Sequence, residues 1–426
     1  MRFLRENPFW IRALTVLVIV FSVNLVIEFG VLTSVFPLLH NLQLRSHRIL
    51  CWMLPRPASP KWTRMVIIDD ELHERLHEPT DRNYIATLVR NAALGDAAVI
   101  VLDFELTVPK GNAEGSDETR KGMNKALRNA IFDAAKLGVP VIVPCWLDIS
   151  RPQVGLVPSI YPDWALPLAS EKSGKSECAY LACARRGNVN PSEDERKIPL
   201  KTKLQSNSQC GDSLALATAS AYEEATDRQP RTREKKAIAD NTKSYQYVYG
   251  TFMPGERFQT IPIRDLEAGK PEALRACRTR IVIIGGKWGE ALGQGQAHDV
   301  HETSVGPLAG IYLQANYIEA LLDDRYMRQV PGALVLLFDL IVGVLLYASY
   351  DNASTLRGKY MVLTVFLLPL MIGYIVFVTL GYYLDFVLLL VACFLHLGFE
   401  LVRDDVKMRR KPVNVDQVAM TQAGTG

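Results

Sequence analysis

The chain has 426 residues, with 48 lysines and arginines against 45 aspartates and glutamates, for a net charge of +3. That balance, without a basic stripe interleaved with aromatics and without zinc-finger spacing, argues against nucleic-acid binding. The mean hydropathy of +0.07 averages two apolar ends with a hydrophilic middle.

Residues 1–12 carry Arg2, Arg5 and Arg12 and read as a cytoplasmic N-terminus. Residues 13–39 form an apolar run that exceeds the ~20 residues a helix needs to cross a bilayer. The run is longer than a signal-peptide core and lacks a small-x-small cleavage site, so it reads as an uncleaved anchor. Asn24 and Glu28 lie one helical turn apart within it.

Residues 40–330 read as one soluble segment. Residues 65–70, Met-Val-Ile-Ile-Asp-Asp, are a short apolar run closing on acid. Residues 82–94 place Tyr84, Ile85, Leu88, Val89 and Ala92 at helical spacing. A second buried-strand run, 97–103, closes on Asp103; helical spacing follows at 118–137, then a third apolar run at 139–144. Apolar strands alternating with amphipathic helices predict an α/β domain with a mostly parallel sheet and flanking helices.

Residues 150–238 break that rhythm and read as an insertion rich in Pro, Ser, Lys, Arg and Glu. Within it, 214–225 reads as a helix and 228–236 as a charged, solvated loop. Residues 245–251 alternate like a strand, 280–286 form a buried strand, and 310–322 form an amphipathic helix. Three further apolar runs, at 332–350, 360–380 and 383–402, predict three spans within 331–402, before a polar tail at 403–426.

Basic flanks set the orientation. Arg357 and Lys359 join the second and third spans, and Arg403, Lys407, Arg409, Arg410 and Lys411 follow the fourth. Both termini are therefore expected in the cytoplasm of a multi-pass protein, with 40–330 outside. Arg45, Arg48, Arg56, Lys61 and Arg64 run against this, but long loops cross largely regardless of charge.

Six of the seven cysteines (Cys51, Cys145, Cys178, Cys183, Cys210 and Cys277) fall in or beside the outward segment, and Cys393 in the last span. Disulfides suit an oxidising compartment, with Cys178, Cys183 and Cys210 the nearest group; buried inert thiols suit Cys145 and Cys277 equally. There is no CxxC pair, so no structural zinc is expected.

Asp69, Asp70 and Asp103 stand where parallel strands should end. Beyond such ends lies the usual ligand crevice of an open α/β sheet, although an aspartate there can instead cap the next helix. Gly285 and Gly286 open a glycine-rich stretch through Gly289, but neither GxxxxGK[ST] nor a well-placed GxGxxG is present. We expect no nucleotide or other cofactor, and read the glycines as a turn that lets backbone approach a ligand or the first strand. His298, Asp299, His301 and Glu302 are the richest set of metal-type side chains. Their glycine-flanked loop holds no i,i+4 pair, so solvated or pH-sensing histidines are preferred to a metal site. There is no nucleophile elbow, serine–histidine arrangement or paired-glutamate motif, and no enzymatic activity is expected.

Taken together, three patches resemble a CHASE2 domain, the extracytoplasmic sensory module of bacterial receptor kinases and nucleotide cyclases. They are Val66-Ile67-Ile68-Asp69-Asp70 with Pro79 and Arg82; Val99-Ile100-Val101-Leu102-Asp103; and Ile281-Val282-Ile283-Ile284-Gly285 with Gly310-Ile311, Ala315-Asn316 and Leu322. One span before the domain and three after it also match the family's frame. The chain departs from it in the Glu78-Pro79-Thr80-Asp81-Arg82 context, in Gln314 where a histidine is common, in the 150–238 stretch, and in stopping after the last span.

The resemblance implies a sensor in the bacterial inner membrane. It would bind an unidentified extracytoplasmic ligand, contact membrane lipid, form a homodimer as related receptors do, and signal to a separate partner protein. Ligand-binding candidates are Asp69, Asp70, Arg82, Asp103, Gly285, Gly286, His298, Asp299 and His301. Asn24, Glu28 and Asp339, polar groups inside expected spans, are candidates for a helix–helix relay. A structural or assembly protein of an envelope complex is the alternative, and a periplasmic metal-dependent enzyme a third reading.

Overall fold

The computed structural model describes residues 44–45, 47–48, 59–69, 71–72, 81–103, 117–145, 147–148, 155–156, 184–188, 197–202, 212–227, 245–287 and 300–330, with 334, 337, 341, 375 and 379–383. The chain divides into a unit made of Met1–Ser46 with Gln329–Gly426 and a unit of His47–Arg328. The second unit holds the α/β domain. Among the described residues no helix is long and apolar enough to cross a membrane. The four expected spans lie outside those residues except at isolated positions such as Leu334, Leu337 and Ile341, which are helical and exposed.

In chain order the elements are β1 (Thr63–Asp69), α1 (Arg82–Leu94), β2 (Val99–Asp103), α2 (Asp117–Lys136), β3 (Val141–Cys145) and the small pair β4 (Leu147–Asp148) and β5 (Gly155–Leu156). Then follow β6 (Ala184–Asn188), β7 (Lys197–Thr202), α3 (Leu214–Ala225), β8 (Tyr245–Gly250), α4 (Ile263–Glu267) and α5 (Pro271–Cys277). The domain ends with β9 (Ile281–Lys287), β10 (Val300–Thr303), β11 (Gly306–Ala309), α6 (Gly310–Leu322) and β12 (Tyr326–Gln329).

Five strands form one parallel sheet in the order β1-β9-β2-β3-β6. Four of them, β1, β9, β2 and β3, are largely continuous apolar runs because both faces are covered, whereas the edge strand β6 is Ala-Arg-Arg-Gly-Asn. Alternation sends Val66, Ile68, Ile100, Leu102, Val141, Val143, Val282 and Ile284 into one core with α1, α2, α4 and α5. Met65, Val99, Val101, Ile142, Ile281 and Ile283 point the other way, into a second core with α3 and α6. The domain is a three-layer α/β/α sandwich. Behind the α3–α6 layer, β8 pairs antiparallel with both β7 and β12.

Local chemistry fixes the helix ends. Asp81 accepts from Asn83 N and caps α1, and Ser213 accepts from Leu216 N and caps α3. On α2, Leu127, Ala130, Ile131 and Ala134 recur at helical spacing and are buried. The outer edge of β1 is not bare: Met65 N donates to Gln259 O and Ile261 N to Met65 O, so residues 259–261 cover it. Gly95, which ends α1, packs against α5. A Cβ there would sit 2.7 Å from Leu274 O and 2.9 Å from Cys277 Cβ. Gly95→Ala should therefore destabilise the domain by about 1–3 kcal/mol, read as a lowered unfolding midpoint of the full chain in detergent.

Three expectations change. Residues 150–238 do not stand apart from the sheet: β6 is its fifth strand, and β7 and α3 contribute to the core. Helix α6 is not amphipathic. All of its residues except Tyr312 are buried, because β9, α3 and the β10–β11 hairpin enclose it. Gly285 and Gly286 are not in a turn; β9 continues to Lys287, paired with β1 along its whole length. Their backbone does approach the first strand, as expected.

Candidate functional site

The path of the chain through the sheet creates one distinctive place. Strands β1 and β2 are followed by helices on one face, whereas β9, which lies between them, is followed by α6 on the other. Neighbouring strands whose connections diverge leave a crevice at their carboxyl ends. In register, Asp69 is opposite Lys287 and Asp103 is opposite Gly285, so two aspartates flank the end of β9. Strand alternation turns Asp69, Lys287 and Asp103 toward the face occupied by α6.

These side chains are not equivalent. Asp69 is exposed, and its Oδ1 accepts from Leu72 N at 2.9 Å, so part of it serves as a local cap. Asp103 is half-buried, and a Cβ at Gly285 would lie 3.1 Å from its Cβ and 2.7 Å from Ile311 Cδ1. Gly285 is thus the place where α6 rests on β9, and its lack of a side chain serves packing. Helix α6 begins after Ala309 with no side-chain cap. Two interstrand steps and two residues of rise put the Cα atoms of Asp69 and Asp103 roughly 12 Å apart. That spacing is too wide for both to ligate one small ion. It suits two ends of a larger ligand.

Arg82 opens α1 on the same carboxyl edge. It is buried, and burial lowers its pKa below the ordinary guanidinium value. Gly286 lies in β9 opposite Ile68. His301 lies in β10 rather than in a loop, paired with Leu308, and strand alternation sends Glu302 to the opposite face. Among the described residues no cluster of His, Cys, Asp and Glu could hold a metal. Asp70, His298, Asp299, Asn24, Glu28 and Asp339 lie outside the described residues.

Cys277 is a free, buried thiol pushed up to about 12 by burial. It should resist alkylation in the folded chain at pH 8 and react at once on denaturation, as peptide mass spectrometry would show.

A second constellation, absent from the sequence reading, lies at the opposite, amino edge of the sheet. Glu319 on α6 is wholly buried. Its Oε1 accepts from Trp62 N at 2.8 Å, Thr63 N at 2.7 Å and Thr63 Oγ1 at 2.8 Å, and its Oε2 from Lys61 N at 3.0 Å. One turn on, Asp323 Oδ1 accepts from Trp62 Nε1 at 2.9 Å, and its Oδ2 accepts from Arg325 Nε at 3.3 Å. Arg325 Nη1 donates to Thr251 O, and Thr251 N to Arg325 O. The chain entering β1 and the chain leaving α6 are thereby clamped together. Arg64 lies beside them, its pKa lowered by burial and by Arg280 and partly restored by Glu319. The available signal was a pair of acids at i,i+4, Glu319 and Asp323, on an otherwise apolar helix.

Asn316 completes this support. Its Oδ1 accepts from Met253 N at 2.6 Å, while its Nδ2 donates to Met253 O and Tyr312 O, both at 3.0 Å. The side chain acts as a short substitute strand for the backbone after β8. Comparison with curated proteins finds no match, and no solved structure matches either. The sequence profile of the CHASE2 domain matches residues 14–349, which include the whole sheet, the carboxyl ends of β1, β9 and β2, and the clamp, and the chain belongs to the CHASE2 domain family.

Proposed function

We propose that this protein is a non-enzymatic sensor anchored in the bacterial inner membrane, with its α/β domain outside and both termini in the cytoplasm. CHASE2 domains are typically sensory and extracytoplasmic. The observation that carries the reading is the switch point at the end of β9, where Asp69, Lys287 and Asp103 share one face between diverging connections. A ligand with cationic or hydroxyl groups about 12 Å apart would span the two carboxylates. Its differential affinity for two states of the domain would set how far it shifts them. The apolar segments would pass that bias to a separate effector protein.

The test is ligand-dependent thermal unfolding of the full chain in detergent, using polyamines and oligosaccharides as probes. A ligand at about 100 times its Kd adds roughly 2.7 kcal/mol, or about 5–10 °C for a domain of this size. Asp69→Ala with Asp103→Ala should abolish the shift, and loss of the cap on Leu72 N should by itself lower the unliganded midpoint by only a few degrees. A shift unchanged in the double variant would place the ligand elsewhere.

A further inference from the structure

Helix α6 reaches from one end of the sheet to the other. At the carboxyl end Ile311 rests on β9, in the space that Gly285 leaves. The polar contacts lie further along. Asn316 holds Met253, Glu319 holds residues 61–63, and Asp323 holds Trp62 Nε1. Intervals of three and four residues put these side chains along one stripe of the helix. From Ile311 to Asp323 the rise is roughly 18 Å, and no proline interrupts it.

The two ends are held differently. Ala309, before the first turn, supplies no side-chain cap, and the seat on Gly285 is apolar. The far end is fixed by hydrogen bonds at both chain crossings. Glu319 binds the segment entering β1, and the segment leaving α6 is tied through Arg325 to Thr251. Sideways movement is opposed by β9, α3 and the β10–β11 hairpin, which enclose the helix. A buried helix seated on apolar contact at one end and bonded at the other carries a displacement to the bonded end.

We propose that α6 is the coupling rod of the domain, delivering a change at the switch point to residues 61–63 and 323–325 together. The rod rests on the sensory reading above and names how the same site reports its state. Chain entry and chain exit move as one, because the carboxylate that grips the first stands on the helix that leads into the second.

Hydrogen exchange of the full chain in detergent tests the rod without any ligand. Gly285→Ala puts a Cβ 2.7 Å from Ile311 Cδ1 and so displaces the start of α6. The amides of 61–63 should then exchange about tenfold faster. Gly95→Ala, which strains the opposite layer, should leave them at the wild-type rate. Ile311→Val removes the Cδ1 that the new Cβ meets. Alone it should fold and, by loosening the seat, speed the same amides about threefold. Combined with Gly285→Ala it should return them to within about twofold of wild type. In a Glu319→Gln background the far grip is already weak, so Gly285→Ala should add no more than about twofold. The same comparison with Ile311→Val applies where Gly285→Ala does not fold. A full additive effect in that background routes the displacement through the β1–β9 pairing and overturns the rod. Equal acceleration by Gly285→Ala and Gly95→Ala overturns it too, as does wild-type exchange in both Gly285→Ala and Ile311→Val. A thermal shift by polyamine or oligosaccharide without this coupling leaves the ligand site standing with no rod. Coupling with no such shift keeps the rod and removes the ligand site.

Discussion

Glu319→Ala should be the most damaging single substitution in the described domain. It leaves the N–H groups of Lys61, Trp62 and Thr63 and the Thr63 hydroxyl without their shared acceptor. Hydrogen bonds to a charged group contribute about 1.5–3 kcal/mol each, and a network of this kind adds less than the sum of its parts, so the loss should be about 3–5 kcal/mol. For a domain of this size that lowers the unfolding midpoint by roughly 10 °C. Glu319→Gln keeps one carbonyl oxygen for Trp62 and Thr63 but turns an amide toward Lys61 N, and should lose about 1–2 kcal/mol. Hydrogen exchange at residues 61–63 gives the local readout, and should speed up in proportion. An alanine variant that melts with wild-type protein would show that the clamp has no structural weight.

Asn316→Ala should follow closely. Met253 N and Met253 O lose their partners in a buried site, and the residue's own methyl cannot replace them, for a cost of about 2–4 kcal/mol. Asn316→Asp is the sharper probe. It keeps an acceptor for Met253 N but sets an oxygen against the carbonyls of Met253 and Tyr312, which raises the pKa of the new carboxyl in the folded state above its unfolded value. Its destabilisation is therefore present at neutral pH and is relieved as pH falls through that raised pKa, because the protonated carboxyl can donate. A midpoint that rises on acidification in this variant relative to wild type is the expected result; parallel pH profiles would contradict the hydrogen-bond assignment.

The sequence disclosed the elements better than their arrangement. Helices α1, α3 and α6 have the bounds that periodicity and capping indicate, because Asp81 and Ser213 announce two starts and apolar spacing marks the bodies. The parallel sheet was legible in four apolar runs. Strand β6 was not: Ala-Arg-Arg-Gly-Asn has no apolar alternation, and its place at the sheet edge comes from pairing with β3. The position of β9 between β1 and β2 was equally hidden, since continuous apolar strands carry no mark of their neighbours. Of the site, Asp69 and Asp103 were visible as acids closing strands. Lys287 joined them only through register. Glu319 lay unremarked within a helix read as amphipathic, and only its burial and contacts reveal what it holds.

The place of β9 has a consequence for how the chain reaches its native state. Strands β1 and β2 are made early in synthesis but never touch; each pairs with β9, and the partner residues of Thr63 begin at Ile281. Until that late segment leaves the ribosome, both strands keep an unsatisfied edge separated by a gap one strand wide. Long-range parallel pairing of this kind folds slowly and exposes aggregation-prone surface. Closure of the sheet is therefore expected to wait for nearly the whole domain, arriving as a single late insertion instead of strand by strand.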